Sequence, residues 1–269
     1  KLLSLVHPPT GREWMWAPAS GLKLFANKTG DGFADGTICG ADECLPTIAA
    51  CEWRGLKLTD HGEAWTEAWT LDEAALKQDV IRTTLKLPIS PLEVERKISL
   101  EGDRLKFEYS ARHVGKEPFE FVWALHPMMT IEQGDEILLP EEVKSARLEL
   151  ALGREWGARG TTLPWPAADA KARLDRLDFG GGDAAVKLYT EPLKMRRAAL
   201  RNTRNGAFLL FEADTDSYGI WINRGGWAGH QHVALEPTNG GPDSLDIAVK
   251  DWKRFWKLAP GETKAWTVK

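Results

Sequence analysis

Apolar and polar residues alternate with a period of two along most of the chain, which is typical of strands with one buried face. Turn-forming Gly, Pro, Asn and Asp residues separate these stretches at meander-like intervals, so neighbouring strands are expected to pair antiparallel. The pattern predicts an opening hairpin from Leu2–Val6 and Glu13–Trp16, and one short helix at Leu71–Gln78. The other predicted strands are Val80–Leu87, Leu92–Leu100, Leu105–Ala111, Glu136–Leu139, Ala184–Tyr189, Arg197–Asn202, Ala207–Ala213, Gly219–Ile222 and Thr263–Val268.

These stretches predict an all-β protein with about fifteen or more strands. That number exceeds the about seven to nine strands of an immunoglobulin-like domain and favours a larger antiparallel β-sandwich with few short helices. No repeat of fixed period is visible, which argues against a propeller or a solenoid. The 269 residues fit a single domain over 1–269, because sandwiches often reach about 200–250 residues. Loops are expected at 155–168 and, as a turn, at Gly180–Asp183.

Two distant strands each carry a reactive side chain immediately before a proline. His126 precedes Pro127 and Glu236 precedes Pro237, while His232 shares a strand face with Glu236. Because proline lacks a backbone N–H, both strands are expected to end there and to hold the two side chains beside loops. An imidazole and a carboxylate placed in this way suit a general acid and a general base. From spacing alone, a solvent-facing Glu236 at a strand exit explains the pattern as well.

The segment Thr59–Trp69 has the densest group of polar and aromatic residues in the first half of the chain. If it is extended, His61, Glu63 and Trp65 fall on one face. Such a group suits a polyhydroxylated ligand, because aromatic rings pack on the apolar faces of a sugar while polar groups bind its hydroxyls. With 13 Trp in the chain, a simple core role for Trp65 stays open.

Three further stretches offer candidate ligand-binding residues. Asp42 and Glu43 precede an apolar stretch, where they would either cap a helical turn or bind sugar hydroxyls. Trp227 follows the Gly225–Gly226 turn, where it would either contact a ligand or cover the core. The Gly-rich segment Asn27–Gly40 is predicted to be a long loop, and loops of that length are usually functional or mobile.

The charge balance and the cysteines exclude several classes of function. The chain has 35 basic and 39 acidic residues without a long basic run, which argues against a nucleic-acid partner. It has no apolar run of about 18 residues and no signal pattern, so no membrane partner is expected. Three clustered cysteines make an odd count that favours free thiols in a cytoplasmic setting. A zinc site with His61 is the alternative, but the cysteine pairs lack the usual close spacing: Cys39, Cys44 and Cys51.

Opening a cyclic sugar requires one proton on the ring oxygen and the removal of another from the anomeric hydroxyl. His126 and Glu236 on opposite sides of a pyranose ring would do both without a metal or cofactor. Their ordinary pKa values of about 6.5 and about 4.3 suit these roles at neutral pH.

Six motifs, in this order, resemble the galactose mutarotase-like superfamily of aldose 1-epimerases and their relatives. They are GADECLPTI (40–48), DHGEAW (60–65), WALHP (123–127), WINRGGW (221–227), LEPTNGGPDSL (235–245) and LAPGE (258–262). TGREWMW (10–16) is similar to the N-terminal hairpin of that superfamily, which implies that one or two strands precede Lys1. The resemblance covers essentially the whole chain.

The resemblance implies a β-supersandwich with a sugar-binding cleft on its concave face. It also implies that His126 donates a proton to the ring oxygen, Glu236 takes one from the anomeric hydroxyl and His61 holds the sugar. If so, the three side chains converge on one cleft, with His126 and Glu236 far enough apart to hold a pyranose ring between them. The chain departs from the characterised branches around Asp60-His61-Gly62, where the longer His-Gly-Gly motif of the galactose enzymes is absent. The sugar is therefore left open.

The function predicted from these features is that of an aldose 1-epimerase-like isomerase acting on a small carbohydrate. A non-catalytic carbohydrate-binding protein on the same fold is the first alternative, and it would not need the pair His126 and Glu236. A glycoside hydrolase or lyase is the second. It would use Glu236 with Asp42 or Glu43, at about 5–9.5 Å across a sugar site.

Overall fold

The computed structural model describes residues 1–169, 172–177 and 183–269. The turn predicted at Gly180–Asp183 therefore lies largely outside the described residues. Within them strands are the main secondary structure, and the strands pair antiparallel, as predicted. The strands are β1 (Val6–His7), β2 (Arg12–Glu13), β3 (Ala41–Cys44), β4 (Cys51–Trp53), β5 (Leu56–Leu58), β6 (Thr70–Leu71), β7 (Ile81–Lys86), β8 (Leu92–Glu101), β9 (Arg104–His113), β10 (Phe119–Phe121), β11 (Ala124–Met129), β12 (Asp135–Leu138), β13 (Ser145–Leu152), β14 (Thr162–Pro164), β15 (Ala167–Asp169), β16 (Ala172–Arg173), β17 (Ala184–Thr190), β18 (Arg197–Asn202), β19 (Phe208–Glu212), β20 (Ser217–Arg224), β21 (Gln231–Thr238), β22 (Trp256–Leu258) and β23 (Thr263–Val268).

Helical structure is short. Helix α1 (Glu73–Leu76) lies inside the predicted helix, and the Asp72 side chain caps it by accepting from two backbone N–H groups. Helix α2 (Leu245–Ile247), which no sequence pattern predicted, continues into a π-helical turn at Ala248–Trp252. A 3₁₀ turn at Phe33–Asp35 interrupts the predicted loop.

Two large sheets form the sandwich. One has seven strands in the order β14-β13-β17-β20-β21-β11-β3, and the other has five in the order β23-β9-β8-β7-β6. Alternation along each strand gives the seven-stranded sheet an inner face, which packs on the five-stranded sheet, and an outer face. Apolar side chains of both sheets form one buried cluster that includes Leu92, Val94, Phe107, Tyr109, Leu125, Leu188, Ile220, Val233 and Leu235. This confirms the predicted all-β sandwich.

On the outer face of the seven-stranded sheet, several buried polar residues lie opposite one another on neighbouring strands. Asp42 lies opposite His126, and the register of β11 with β21 puts His126 opposite Glu236. Glu236 in turn lies opposite Gly219, and Gly219 opposite Tyr189. Because residues opposite each other in a sheet share a face, these side chains form one row across five strands. A second row on the same face contains Met128, Ala234, Trp221, Lys187 and Leu150.

The two prolines do not end their strands, which corrects the sequence prediction. Pro127 lies within β11, and Pro237 lies within β21 opposite Tyr218. A proline lacks a donor but keeps its carbonyl acceptor, so a ladder continues where the missing N–H has no required partner. His126 and Glu236 consequently lie inside the sheet and not at strand ends.

Three other local predictions were wrong. Asp42 and Glu43 belong to strand β3, so they cap no helix. The segment 59–69 is a series of turns and not an extended strand, and His61 has a left-handed φ of 56°. The predicted loop at 155–168 contains β14 and the start of β15, while β13 was not predicted at all.

The cysteines are free thiols, as expected from their odd count. Cys39 and Cys44 are buried and Cys51 is half-buried. Burial raises the pKa of the Cys44 thiol well above its ordinary value, and the nearby Glu236 carboxylate raises it further. Cys44 is therefore uncharged. Its side chain lies on the outer face of the seven-stranded sheet, where other side chains bury it.

A buried ion pair connects the opening hairpin to the rest of the sandwich. Both guanidinium N–H groups of Arg12 donate to the Asp135 carboxylate at 2.7 Å, and the two side chains are 1% and 0% exposed. Asn202 donates to the same carboxylate at 2.9 Å, and the Arg12 guanidinium lies 3.9 Å from the centre of the Trp14 ring. The hairpin is thus attached through a buried ion pair in which both terminal nitrogens of the guanidinium donate to the carboxylate.

We predict that Asp135→Ala lowers the free energy of unfolding by about 3–5 kcal/mol, because it leaves the Arg12 charge buried without its partner. Urea denaturation followed by circular dichroism measures the change. Glu95→Ala is the control, since its partner Arg82 lies at the surface and such pairs contribute little. Equal losses in the two variants would contradict the prediction.

Candidate functional site

The outer face of the seven-stranded sheet forms the floor of a cavity of about 240 Å³. Loops before and after the sheet strands complete its walls. Its lining combines aromatic and aliphatic side chains with a small number of convergent polar groups, the composition expected of a small-molecule site. The lining residues are Phe33, Ala34, Ile48, Asp60, His61, His126, Met128, Leu150, Lys187, Trp221, Trp227, His232 and Asp243.

An ion pair between Lys187 and Glu236 lies at the centre of the site. The Lys187 Nζ donates to both oxygens of the Glu236 carboxylate and lies 3.8 Å from Asp243 Oδ1. Glu236 is fully buried and Lys187 is 4% exposed. Burial alone would lower the pKa of Lys187, but the Glu236 and Asp243 carboxylates raise it above its ordinary value. The lysine is therefore a charged ammonium facing the cavity.

A glycine makes this pair possible. Lys187 and Glu236 lie on strands that are separated by β20, and Gly219 of β20 lies opposite Glu236. A methyl group at Gly219 would lie 3.0 Å from Glu236 Oε2, which is closer than side chains normally pack. The absence of a side chain at Gly219 lets the lysine reach across its strand to the carboxylate.

His126 lies next to the ion pair. Its Nε2 is 3.4 Å from Glu236 Oε1, and its side chain is 7% exposed. Burial lowers the pKa of His126 well below its ordinary value, and the charges of Lys187 and His61 lower it further. His126 is therefore a neutral imidazole at neutral pH. Its Nδ1 is buried and has no hydrogen-bond partner among the described residues.

His61 enters the cavity from the turns of 59–69. Its ring stacks on Phe33, with centroids 3.8 Å apart and an interplanar angle of 10°, and lies 5.5 Å from the His126 ring. Its Nδ1 is hydrogen-bonded to Asp60 Oδ1 at 2.9 Å. Burial opposes ionisation of Asp60, but the bonds from His61 and from the Phe33 backbone lower its pKa overall. Asp60 is thus a carboxylate that orients His61.

A fourth carboxyl group, that of Glu149, lies close enough to Asp243 and Lys187 to interact with their charges. Glu149 occupies an irregularity in the pairing of β13 with β17, is 5% exposed and lies 3.1 Å from Arg159 Nε. Burial raises the pKa of Glu149 to about 7, and the negative charge of Asp243 contributes to the rise. Bulges commonly redirect side chains near functional sites. This one adds a carboxyl that changes its protonation near neutral pH.

The structure brings together four of the seven residues that the sequence singled out. His61, His126 and Trp227 line the cavity, and Glu236 lies directly behind Lys187 and His126. The expected gap for a sugar ring between His126 and Glu236 is wrong, since the two side chains are 3.4 Å apart. A ligand would lie over them and not between them.

The other three candidates do not line the cavity. Asp42 is buried in an ion pair with Lys1 at 2.6 Å. Glu43 points between the sheets, where it accepts hydrogen bonds from Arg96 at 2.7 Å and from Tyr109 at 3.2 Å. Trp65 packs edge-on against Phe33 and supports it from behind, with centroids 5.2 Å apart.

Sequence reasoning missed four polar residues of the cavity, one of which is Asp60, the partner of His61. Lys187 and Asp243 complete the charged centre, and His232 was placed on the correct face but given no role. A single lysine in the otherwise apolar strand β17 was the available signal, because a buried charge requires a partner. Asp243 lies in a loop and gave no comparable signal.

Among the residues described, no group of three or more His, Cys, Asp and Glu side chains has the arrangement of a metal site. A search of their helices for a segment that could span a membrane also finds none.

Comparisons with known proteins show the fold. No family model matches the sequence, and no curated protein matches it. A galactose mutarotase-like protein from Clostridium acetobutylicum superposes with a TM-score of 0.66 at 13% identity, over 99% of this chain and 87% of that one. The chain has the galactose mutarotase-like fold.

Two further structures support that statement. A galactose mutarotase-like protein from Lactobacillus casei ATCC 334 gives a TM-score of 0.65 at 14% identity, over 99% of this chain and 91% of that one. A galactose mutarotase related enzyme from Lactobacillus acidophilus gives 0.62 at 14% identity, over 99% and 89%. At this identity the likeness concerns the fold, and it confirms the resemblance derived from the motifs.

We predict that the pKa of His126 rises in Lys187→Met, because the nearby ammonium holds it down. In the wild type His126 stays neutral well below pH 6.5, while in the unfolded chain it binds a proton near about 6.5. The fold is therefore more stable above about pH 6.5, and it loses stability as the pH falls below that value, because the unfolded chain then binds a proton that the folded protein does not.

Side-chain ¹⁵N NMR over a pH series measures this pKa directly. Lys250→Met is the matched control, because Lys250 lies on the surface beside Asp246. An unchanged His126 titration in Lys187→Met would contradict the electrostatic interpretation of the site.

Proposed function

We propose that the protein catalyses the interconversion of the α and β anomers of a small sugar, as an aldose 1-epimerase-like isomerase. One observation carries the proposal: a neutral imidazole and a charged ammonium, His126 and Lys187, both contact the same buried carboxylate and both line one cavity. The proposed base, His126, and the proposed acid, Lys187, thus share the Glu236 carboxylate as their counter-ion. The fold and its likeness to mutarotase-like structures support the same activity.

In the proposed reaction His126 removes the proton from the anomeric hydroxyl, and the Lys187 ammonium gives a proton to the ring oxygen. The bond from the anomeric carbon to the ring oxygen breaks and leaves an aldehyde. Rotation about the next carbon–carbon bond turns the aldehyde over, and the same two transfers in reverse close the ring. No metal, redox partner or cofactor enters the balance.

Glu236 contributes to the proposed reaction through its contacts with Lys187 and His126. The sequence had assigned it the role of the base in contact with the sugar, but it lies behind Lys187 and His126 and does not line the cavity. During the reaction one positive charge is lost at Lys187 and one is gained at His126. Since Glu236 contacts both, the carboxylate faces a single positive charge throughout, which limits the electrostatic cost of the transfer.

The cavity suits one sugar ring. Its volume of about 240 Å³ lies below the range of about 300–1,000 Å³ for drug-sized ligands, which favours a monosaccharide. Trp221 and Trp227 offer aromatic surface for the apolar side of the ring. His61, oriented by Asp60, is the proposed holding residue, and Asp243 is a further acceptor for hydroxyl groups. The free thiols support a reducing, cytoplasmic setting.

The glycoside hydrolase or lyase alternative needs Asp42 or Glu43 beside Glu236 at the sugar site. Glu43 is bound to Arg96 between the sheets, and Asp42 is bound to Lys1. Neither faces the cavity, so the pairing of Glu236 with either residue has no geometric support. A non-catalytic carbohydrate-binding protein remains the alternative that experiment has to separate from the isomerase.

We predict that Lys187→Met and His126→Ala each slow anomer exchange by about 10²-fold or more, because each removes one of the two proton-transfer groups. Exchange is measured by NMR on D-glucose, D-galactose, D-mannose and D-xylose, and binding by calorimetry on the same preparations. Glu236→Gln should slow exchange while sugar binding persists. His61→Ala should chiefly weaken binding, since it acts on bound substrate and transition state alike.

His7→Ala is the control, because His7 lies in the β1–β2 hairpin and does not line the cavity. Circular dichroism confirms that each variant is folded. A wild type that binds a sugar yet exchanges its anomers no faster than buffer would reject the isomerase and favour the binding protein. A wild type that does neither would reject both.

A further inference from the structure

The charges around the cavity do not balance. Among the described residues that line it, Lys187 is the single lysine and no arginine is present. Two lining residues, Asp60 and Asp243, are acidic, and the Glu236 carboxylate lies directly behind Lys187. Even with a proton on His61, three carboxylates accompany two cations. The described part of the site therefore has an excess of negative charge.

We propose that the site selects uncharged sugars and excludes sugars that carry a phosphate or a carboxylate, and that Asp243 is the residue chiefly responsible for this selection. The proposal deepens the proposed function and rests on it, because it names the substrate class of the same site.

The lysine of the cavity is already engaged by carboxylates. Its Nζ donates to both oxygens of Glu236 and lies 3.8 Å from Asp243 Oδ1. An ammonium has three N–H donors, and the proposed reaction uses the third on the ring oxygen. Proteins bind phosphates with arginine and lysine side chains that are available for charge-assisted hydrogen bonds. Arg159 does not fill this role in the cavity, because it is paired with Glu149 and is not a lining residue.

The Asp243 side chain reaches the cavity from the loop after β21. It is 20% exposed, whereas Glu236 is fully buried and does not line the cavity. Its negative charge acts on its neighbours: burial raises the pKa of Glu149 to about 7, and Asp243 contributes to the rise. An entering ligand therefore meets the Asp243 carboxylate and not that of Glu236.

The fold holds this carboxylate in place. The hydroxyl group of Tyr189, a fully buried residue, donates a hydrogen bond to Asp243 Oδ1. The Asp243 carbonyl oxygen accepts from the backbone N–H groups of Ile48 at 2.8 Å and Ala49 at 2.9 Å. It also accepts from the Thr47 hydroxyl at 3.1 Å. These contacts restrain both the backbone and the side chain, so the carboxylate is kept from turning away when an anion approaches.

Uncharged and anionic sugars differ in the hydrogen bonds that they offer to Asp243. A carboxylate accepts hydrogen bonds and donates none, while a sugar hydroxyl donates one. No described residue donates to Asp243 Oδ2, so this oxygen is available to accept from a hydroxyl. A phosphate or a second carboxylate has only acceptor oxygens, and its charge is repelled more strongly in an enclosed site than in water. Hydrogen bonding and charge thus favour the uncharged sugar together.

The first experiment compares matched ligands of the wild type by calorimetry: the best-binding hexose of the panel, its uronic acid and its 6-phosphate. The uronic acid replaces only the CH₂OH group of the hexose by a carboxylate. Both anionic forms should bind at least about tenfold more weakly than the parent hexose, because each adds a negative charge beside the carboxylates. Binding of either form within that factor of the parent would overturn the proposal.

The second experiment measures the ratio of hexose to uronic acid affinity in variants that circular dichroism shows to be folded. Asp243→Asn keeps the shape and an acceptor oxygen for Tyr189 but removes the charge, and it should narrow the ratio by about tenfold. Tyr189→Phe, which releases Oδ1, should narrow it by a smaller factor and is the second variant if Asp243→Asn does not fold. Asp246→Asn is the matched control, since it makes the same change in charge outside the cavity, beside Lys250. A ratio that changes in Asp246→Asn as much as in Asp243→Asn, or that changes in neither, would overturn the role of Asp243.

Anomer exchange, measured by NMR on the same hexose, separates this proposal from the proposed function. A wild type that exchanges the anomers and binds the anionic forms as well as the parent would overturn the selection, while the isomerase stands. A wild type that excludes the anionic forms and binds the hexose without exchanging it would reject the isomerase, while the selection stands for a binding protein. A wild type that binds none of the ligands would reject both.

Discussion

The buried ion pair between Lys187 and Glu236 is the interaction on which the candidate site depends. Removing Lys187 would leave the fully buried Glu236 carboxylate without its ion-pair partner, which is far more costly than losing the pair as a whole. The pair requires Gly219, because a side chain there would lie against the carboxylate. It also contributes to the state of His126, since burial keeps that imidazole neutral and the ammonium lowers its pKa further.

Register in the seven-stranded sheet decides which residues reach the cavity. Asp42 and Glu43 are adjacent in sequence, yet Asp42 shares the outer face with His126 while Glu43 points between the sheets to Arg96. A slip of one residue in β3 would exchange them. The same alternation that builds the sandwich thus decides which side chains point into the core and which lie on the face that carries the site.

Much of the fold could be predicted from the sequence because alternation is a local property. The bounds of Arg197–Asn202 and Thr263–Val268 agree with the prediction, and His126, His232 and Glu236 lie on the expected faces. The partners of Glu236 could not be predicted, because they depend on strand order. Alternation in β17 puts Lys187 on one face, but only the adjacency of β17, β20 and β21 brings it within reach.

The prolines that follow His126 and Glu236 have a consequence for the unfolded chain. A residue before proline is restricted to extended backbone conformations by steric contact with the proline ring, whether or not the protein is folded. In β11 and β21 both residues adopt extended conformations. The backbone of the two residues around the central carboxylate therefore loses less conformational entropy on folding than the same residues would lose elsewhere. Part of the order of the site is already present in the disordered polypeptide.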